Sequence, residues 1–585
     1  MIEKMTKYSF VLLHGGVDDF LMSLKEIGVM DIVRSTKPVD EVSAGMLSDI
    51  NSLKRQIERI SDDDYSRDET FNSLSSELAG EKRELLLRQP WGEFSSEGIK
   101  CLESSGLTLS YYRIASKRFD TSFTEKYPIE VISEDNKYTY FVTVSDSGKV
   151  SVPGSEECSA PAGPASETLR SIEKIQSELD ARIKVLSKEK EKIPAMESRL
   201  ADLESSLQIY LARCTAQPAA EDVIETFVGF APTSADGKVQ DALDRMDLFY
   251  FNEPAKAEDN PPIKLKNNWF ARNFETLTGM YGMPVYDEFD PTPILAPFFL
   301  LFWAFCMGDA GYGLALIGVG FLLKKVDILG LKEHWRLVVT LGVGATVIGF
   351  FLGTFMGIPL AEASWIPQGL RNLMLAGKLE FGSSSYDVAM VAALAVGVFH
   401  ICLAMVIKAI GLTKRFGFKE SISTWGWIVL IVGGLLVAAG ALSSILDATV
   451  TKIAVIVIGI VSFLGIFVFN KPGRNPLLNI GAGLWDTYGM VTGLMGDVLS
   501  YIRLYALGLA GGMLGGAFND LAVMTLGDNP TWHWIPFLLI ALLGHTLNFA
   551  MSCLGAFVHP LRLTFVEYFK NSGYEGKGTE YNPLG

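Results

Sequence analysis

Long apolar runs fill the second half of this chain of 585 residues and constrain its fold more than any other feature. From about residue 290 onward, the runs reach twenty residues or more. That is the length an α-helix needs to cross a hydrocarbon layer of about 30 Å. The preceding residues are charged and periodic instead. We therefore expect residues 1–285 to form a domain in water and residues 286–585 to form a helical membrane domain.

The apolar runs predict eight membrane-crossing helices. Six spans lie at about 335–360, 386–410, 424–445, 451–469, 484–520 and 533–569. The run at 294–323 is expected to cross twice, with a break at 308–313, although two crossings in about thirty residues leave each one short. The 484–520 run would be about 55 Å long as one helix, so it must tilt strongly or break. The last two helices are therefore predicted to be long and tilted.

Basic residues assign the two sides of the membrane. Lys and Arg occur in the connections 324–336, 408–419 and 471–474, whereas 521–532 contains neither. Because short cytoplasmic loops are enriched in Lys and Arg, we place these three connections inside and the longer loop 361–385 outside. The N-terminal domain and the C-terminus are then both cytoplasmic.

The first 285 residues predict α/β lobes joined by two helical seams. Apolar residues recur at spacings of three and four in both seams, which we expect to pair as an antiparallel coiled coil, bent at Pro194. A rod that only associates with itself is the alternative. The predicted parts are a proximal lobe of residues 1–40 plus 218–285, a coiled coil of residues 41–90 and 165–215, and a distal lobe of residues 91–164.

Composition and motifs argue against several classes of function. The net charge is −15 and the basic residues form no stripe, so no nucleic-acid partner is expected. The six cysteines show no CxxC or metal-ligand spacing, so we expect neither a metal site nor disulfides. No GxxxxGK[ST] loop is present, and we expect no bound cofactor. Residues 8–14 are too short an apolar stretch for a signal peptide.

Arg503 is the only basic residue in the apolar stretch 496–512. An Arg at the centre of a membrane helix costs about 2.5 to 3.5 kcal/mol on insertion scales, so such a residue usually faces protein or water and serves ion movement. Arginine side chains keep their charge in proteins, whereas a lysine can lose its own. These properties predict a fixed positive charge on an ion pathway.

The last apolar run carries a polar stripe. Its polar and small members are spaced by three or four residues, so they share one face of a helix, and such a stripe needs water or a partner protein within the membrane. Pro560 frees the carbonyl of Ala556 beside this stripe. The stripe consists of His545, Asn548, Ser552, Gly555, His559 and Arg562.

Several motifs resemble the large membrane subunit of rotary V-type and A-type ATPases, which is subunit I in prokaryotes and subunit a in eukaryotes. The short loops are similar to the prokaryotic form. The matching segments are SYIRLYALGLA at 500–510, HPLRL at 559–563, VEYF at 566–569, MGDAGYG at 307–313 and residues 268–293.

The resemblance implies a non-catalytic stator in the plasma membrane of a prokaryote. Arg503 and Arg562 match the two intramembrane arginines that face the proteolipid c/K ring, beside two ion half-channels. Other implied partners are E/G-type peripheral stalk subunits, a central-stalk adaptor subunit and the lipid bilayer. The ion, H⁺ or Na⁺, and the direction, ATP synthesis or hydrolysis, stay open. The candidate channel linings are Asp497, Ser500, His545, Asn548, Ser552 and His559.

Alternatives accompany these assignments. Gly511 occupies a position where eukaryotic members often have His, and Ser552 one where they have a carboxylate. Each lining residue could instead make a helix-packing hydrogen bond, and Asp309 could cap the break in the first hairpin.

Two other classes of protein are alternatives to the stator. A secondary transporter would carry inverted repeats, and none is seen. A membrane-anchored coiled-coil scaffold would not require the two intramembrane arginines.

Overall fold

A computed structural model describes residues 1–584 apart from 36, 62–64, 66–67, 121, 147, 220–223, 247, 327–329, 364–365, 376, 382–383, 443–446, 470–475 and 527–529. The chain is mostly helical and divides into two units. One unit comprises residues 1–33 with 217–585, and the other comprises residues 34–216. Lys471 and Arg474, the basic residues of the connection 471–474 used above to assign sidedness, lie outside the described residues. So do Asp62, Asp63 and Asp64, three consecutive acidic residues that interrupt the apolar spacing of the first seam.

The helices and strands have the following bounds. The helices are α1 (Val17–Ile27), α2 (Glu41–Ser61), α3 (Glu69–Arg88), α4 (Ser96–Ser104), α5 (Ser122–Lys126), α6 (Ala165–Lys190), α7 (Ile193–Cys214), α8 (Asp236–Asp244), α9 (Trp269–Arg272), α10 (Glu275–Tyr281), α11 (Thr292–Met307), α12 (Ala310–Lys325), α13 (Trp335–Leu352), α14 (Gln368–Arg371), α15 (Val388–Phe416), α16 (Phe418–Ile428), α17 (Gly434–Leu442), α18 (Ala448–Phe463), α19 (Pro476–Ser500), α20 (Ile502–Met524), α21 (Pro530–Arg562) and α22 (Phe569–Ser572). The strands are β1 (Met5–Leu13), β2 (Asp31–Ile32), β3 (Thr108–Ala115), β4 (Ile129–Glu134), β5 (Tyr138–Ser145), β6 (Glu156–Cys158), β7 (Gln217–Ala219), β8 (Ile224–Pro232), β9 (Phe249–Pro254), β10 (Thr354–Phe355), β11 (Ile358–Pro359), β12 (Lys378–Phe381) and β13 (Ser384–Asp387).

The first unit begins with a sheet in the order β2-β8-β1-β9, in which every neighbouring pair is antiparallel. Two parallel strands are therefore separated by one intervening strand in both β1–α1–β2 and β8–α8–β9. The proximal lobe therefore contains two split βαβ units. Tyr8, Phe10 and Phe230 are buried in the lobe, as the alternation of buried residues along β1 requires.

The second unit contains an antiparallel sheet in the order β4-β5-β3-β6. Two small aromatic clusters cover it, one around Trp91 and Tyr111 and the other around Tyr112 and Phe141. All four strands lie within residues 91–164, where a distal lobe is predicted.

The helices of the second unit pack in pairs, α2 against α7 and α3 against α6. Ile50, Ile172 and Leu186 are buried, whereas Leu169 is 46% exposed. The apolar seam is therefore only partly covered within this unit, and the continuous coiled coil stays a prediction. Pro194 is at the second position of α7, and the predicted bend takes the form of a break between α6 and α7.

Among the described residues of the first unit, six helical segments are long and apolar enough to cross a membrane, by length and composition. The segments are Lys332–Leu352, Val388–Phe416, Phe418–Ala441, Ala448–Val468, Asn479–Met524 and Trp534–Ser572. The hairpin helices α11 and α12 have 16 residues each, about 24 Å, less than the hydrocarbon thickness of about 30 Å. The described part of the chain is thus a multi-pass membrane protein, and eight crossings stay a prediction.

The C-terminal residues return to the N-terminal lobe. Leu584 donates a backbone hydrogen bond to Met30, and Tyr581 donates one to Ile263. Because these contacts place the lobe and the C-terminus on one side of the membrane, the number of crossings between them must be even. Both six and eight crossings meet this requirement.

Asp309 organises the elbow between α11 and α12. Gly308 ends α11 with φ of +60°, and the fully buried Asp309 begins α12. The carboxylate accepts backbone N–H groups from Gly311 at 2.8 Å and Tyr312 at 3.2 Å. It also accepts those of Met356 and Gly357, both at 2.8 Å. The predicted break is confirmed, and so is the capping alternative for Asp309.

Replacing Asp309 with Ala should strongly destabilise the membrane domain, because four amide donors would lose their buried acceptor at about 1–3 kcal/mol for each unsatisfied group. Asp309→Asn should be milder, since the amide oxygen still accepts. Thermal unfolding of the full chain in detergent measures both. The matched control is Asp520→Ala, at an exposed position on α20. Equal melting temperatures for Asp309→Ala and the control variant would contradict the role of Asp309 in holding the elbow.

Asp68→Ala should loosen the start of α3. Asp68 is 2% exposed, accepts the Phe71 amide at 2.9 Å and pairs with Arg182 at 2.7 Å. Loss of a helix cap costs about 0.5–2 kcal/mol. Native-state hydrogen exchange of α3 in the full chain should therefore accelerate. Asp68→Asn, which keeps an accepting oxygen but not the charge, should show a smaller effect.

The same contacts make this effect depend on pH. The hydrogen bond from Arg182 holds the pKa of Asp68 below its ordinary value. A lowered folded-state pKa stabilises the protein above the unfolded pKa of about 3.9, and this stabilisation is lost as pH falls through the folded value. The stability difference between the wild type and Asp68→Ala should therefore narrow in acid. A difference that widened there would contradict the assignment.

Candidate functional site

The long run that ends in α20 breaks at Tyr501. The helices α19 and α20 meet at this residue, where the bonds Tyr501 N–H to Val498 and Leu504 N–H to Tyr501 span three residues instead of four. The prediction was that this run tilts strongly or breaks. The helix is interrupted at this one residue, and the tilt of the run stays a prediction. Tyr501 lies two residues before Arg503.

A contact with α15 holds the break. Tyr501 is fully buried, and its hydroxyl lies 2.9 Å from Nδ1 of the buried His400. The ring of Tyr568 stacks on His400 with centroids 4.5 Å apart. A Cβ atom on Gly397, one helical turn before His400, would collide with the Tyr501 ring. Only glycine therefore leaves room for this tyrosine.

The Arg503 side chain is half-buried, close to the elbow between α11 and α12. Its Nη1 atom is buried and has no hydrogen-bond partner among the described residues. Cys306, near the end of α11, is close enough to interact with it electrostatically. A buried guanidinium nitrogen usually has an acceptor, so this atom lacks one that a further molecule could supply.

The predicted partners of Arg503 on α21 come together with it. His559 interacts electrostatically with both Arg503 and Arg562. His559 is half-buried, whereas Arg562 is exposed. The helices α20 and α21 pack against each other, so two positive charges and one imidazole face the same region.

A first polar cluster lies on the C-terminal side of Arg503 along α20. His545 contacts the Tyr312 hydroxyl through Nδ1 and the Asn519 side-chain oxygen through Nε2, both at 2.9 Å. The side-chain amide of Asn548 donates to the Tyr312 hydroxyl and to the Gly511 carbonyl, both at 2.8 Å. We call His545, Asn548, Tyr312 and Asn519 the amide cluster.

The contacts of Asn548 and Ser552 bear on what was expected of these two residues. Asn548 does make the helix-packing hydrogen bond that was one alternative for it. The hydroxyl of Ser552 lies 3.2 Å from where a Cβ atom on Gly511 would stand. The absence of a side chain at Gly511 thus places Ser552 against the backbone of α20. Neither contact tests whether these residues line a channel.

A second polar cluster lies on the N-terminal side of Arg503. Asp497 accepts hydrogen bonds from the side chains of Asn571 at 2.8 Å and Lys570 at 3.4 Å. The Ser500 hydroxyl donates to the Gly496 carbonyl at 3.0 Å and lies near Glu567, which also interacts electrostatically with Asp497. Glu567 is 2% exposed, and its Oε2 has no partner in the described part of the chain. We call Asp497, Ser500, Glu567, Lys570 and Asn571 the carboxylate cluster.

A π-helical turn positions Glu567. After α21 ends at Arg562, residues Leu563–Tyr568 form a π-helix before α22. Such turns are rare and occur frequently at functional sites. Electrostatic interaction joins Glu567 to Arg562 as well. The two clusters therefore lie on opposite sides of Arg503 along the chain. At 1.5 Å per residue, Asp497 is about 9 Å before Arg503 along the helix axis and Asn519 is about 24 Å after it.

The structure thus brings together every predicted site residue in or between two clusters. Sequence reasoning did not assign roles to Glu567, Tyr312 and Asn519. Glu567 carried a signal, because it is a carboxylate within an apolar run that already contains Arg562. Tyr312 and Asn519 carried none, since their contacts join distant parts of the chain. No group of metal ligands occurs among the described residues.

No family model matches the chain. It is similar to A-type ATP synthase subunit I of Methanocaldococcus jannaschii, with 30% identity over 71% of this chain and 63% of that protein. The corresponding subunit of Pyrococcus horikoshii is 33% identical over 57% of this chain and 49% of that protein. The chain thus spans about half to two thirds of the length of these archaeal relatives.

A bacterial relative matches over more of its length. V-type ATP synthase subunit I of Chlamydia trachomatis is 24% identical over 97% of this chain and 96% of that protein. The similarity therefore includes the N-terminal lobes as well as the membrane helices. The chain belongs to the subunit I family of A-type and V-type ATP synthases.

Proposed function

We propose that this chain is the non-catalytic membrane stator of a rotary A/V-type ATPase or ATP synthase, in which it conducts H⁺ or Na⁺ past a proteolipid ring. The observation that carries this proposal is the Arg503 guanidinium. It is half-buried at a helix break, it has one nitrogen without an acceptor among the described residues, and it is flanked by two separate polar clusters. Ring carboxylates are the acceptors that this geometry suits.

The mechanism follows from the fixed charge. A nearby positive charge lowers the pKa of a carboxylate, so a ring carboxylate that approaches Arg503 is driven to ionise and to release its ion. The released ion leaves through one cluster, and the ring carboxylate reloads from the other after rotation. When the rotor turns in the opposite direction, the same steps occur in reverse order.

The two clusters are the proposed half-channels. In the topology that the basic loops predict, α19 begins on the cytoplasmic side and α21 ends there. The carboxylate cluster then opens toward the cytoplasm and the amide cluster toward the outside. Arg503 and Arg562 stand between them, and His559 joins the positive region. Ser552 extends the amide cluster toward Arg503.

Arg503 also prevents a direct leak between the half-channels. One elementary charge that crosses the membrane dissipates about 2.3 kcal/mol per 100 mV. A permanent cation between the clusters repels H⁺ and Na⁺, so an ion must travel on the ring instead. This requirement explains why a residue that cannot deprotonate suits the position.

The remaining parts of the chain are proposed to hold the stator still. The N-terminal lobes and paired helices bind the E/G-type peripheral stalk subunits and resist the torque of the rotor. The central-stalk adaptor subunit rotates beside them. Both termini are cytoplasmic, and the assembly lies in the plasma membrane of a prokaryote. The names of the relatives support a place in a rotary ATP synthase.

Arg503→Gln should abolish ATP-driven ion uptake by membrane vesicles that contain the whole complex, because no fixed cation would discharge the ring carboxylates. ATP hydrolysis by the detached soluble head should survive. The matched control is Arg371→Gln, an arginine outside the long spans whose Nε donates to the Ile366 carbonyl. Ion uptake that persists in Arg503→Gln would refute the proposal.

Glu567→Gln should lower ion uptake without abolishing it, because the carboxylate cluster would lose one of its two acidic groups while Asp497 is kept. The rates of ion uptake and ATP hydrolysis are measured in the same vesicles. Glu575→Gln is the control, since this exposed carboxylate pairs with Arg415 outside the cluster. Wild-type uptake by Glu567→Gln would remove this residue from the pathway.

A further inference from the structure

A groove of about 820 Å³ runs between α11 and α13, away from both polar clusters. This volume lies in the range of about 300–1,000 Å³ that is usual for ligand sites. Its walls are apolar, and the hydroxyl of Thr340 is satisfied by the Arg336 carbonyl at 2.7 Å. The lining includes Leu300 and Leu301 of α11 and Val339, Val343 and Val347 of α13.

Close helix packing closes the back of the groove. A Cβ atom on Gly344 would lie 2.5 Å from a methyl carbon of Leu300, so glycine allows α13 to approach α11. The open side carries Val343 and Val347, each 48% exposed. The groove is therefore a cleft that opens toward the surroundings of the helices, which in this membrane domain are lipid.

Tryptophans mark one end of the groove. Trp269, which is 71% exposed, and Trp335, the first residue of α13, both line the groove. Tryptophan is enriched where membrane meets water, at the depth of the lipid headgroups. This end of the groove therefore lies at headgroup level, and the valine-lined part runs toward the acyl chains.

Two cations lie at the same end. The Lys324 ammonium is 5.0 Å and the Arg336 guanidinium 5.6 Å from the Trp335 ring centroid. Both side chains are exposed, and no carboxylate in the described ranges lies within ion-pairing distance of either. Positive charge at the mouth of an apolar cleft is complementary to a molecule with an anionic head and a hydrocarbon tail.

We propose that this groove binds one anionic phospholipid. Its phosphate is held by Arg336 and Lys324, and an acyl chain lies along Val339, Val343 and Val347. Guanidinium groups bind phosphate with two parallel hydrogen bonds, and basic pockets between membrane helices bind anionic headgroups. A zwitterionic lipid fits the cleft but gains less from the two cations. This inference does not depend on the proposed function of Arg503.

Native mass spectrometry of the full chain in detergent tests the proposal. Phosphatidylglycerol and phosphatidylcholine with identical acyl chains are the two probes. Phosphatidylglycerol should be retained preferentially, and Arg336→Gln should weaken its binding about fivefold, the effect of one cation near a membrane surface. Lys324→Gln should act similarly. Lys419→Gln, which alters an exposed lysine elsewhere, should have no effect.

Filling the groove provides an independent test. Val343→Trp should reduce retention of both lipids, whereas Val391→Trp, at an exposed position on α15, should not. A phosphatidylglycerol with a photoreactive acyl chain should label residues within α11 and α13. Equal retention of the two lipids by the wild type, or unchanged retention in Arg336→Gln and Lys324→Gln, would overturn the proposal. Labelling confined to other helices would do so too.

Discussion

The close approach of α20 to the elbow between α11 and α12 determines where the charge of Arg503 lies. Gly308 and Gly508 meet so closely that a Cβ atom on Gly308 would lie 2.9 Å from the Gly508 α-carbon. A Cβ atom on Gly357 would collide with the backbone at Gly515. Because the backbones touch at these positions, α20 cannot shift against the elbow without a steric collision. Asp309 accepts two amides at the elbow, from Gly311 and Tyr312, and two in the turn between β10 and β11, from Met356 and Gly357, and so holds the two segments together.

These backbone contacts explain how the charged side chain of Arg503 is accommodated within an apolar segment. His400 holds the helix break at Tyr501. Arg503 lies two residues beyond this break, between the two polar clusters. Each cluster satisfies most of its own groups through hydrogen bonds between different helices. In the described residues, Nη1 of Arg503 and Oε2 of Glu567 are buried without a hydrogen-bond partner, and both belong to ionisable side chains beside the proposed ion path.

Local patterns in the sequence predicted much of this architecture. Periodicity indicated the paired helices of residues 34–216, Pro194 indicated their break, and the glycines around Asp309 indicated the hairpin elbow. Lengths of apolar runs located the six long spans. Spacing along the last run placed His545, Asn548, Ser552, His559 and Arg562 on one face. Each of these inferences depends on residues within a few turns of one another.

Contacts between segments that are far apart in the sequence could not be predicted from such local patterns. Tyr501 meets His400 across about a hundred residues, and Asp309 accepts amides from Met356 and Gly357. The sheet order β2-β8-β1-β9 depends on strands separated by the entire second unit. Glu567 was visible as an intramembrane carboxylate, but its π-helical turn and its proximity to Ser500 depend on tertiary packing. The spacing of apolar residues along a helix or strand predicts which of its faces is buried, but not which residues of another element that face contacts.

The proposed function depends on what the Arg503 guanidinium faces in the assembled motor. An experimental structure of the intact membrane complex measures this directly. We expect a carboxylate of the proteolipid ring within about 4–6 Å of the guanidinium, the range over which an opposite charge shifts a pKa strongly. A guanidinium directed toward lipid, or a ring that packs on a face of the membrane domain remote from α20 and α21, would contradict it.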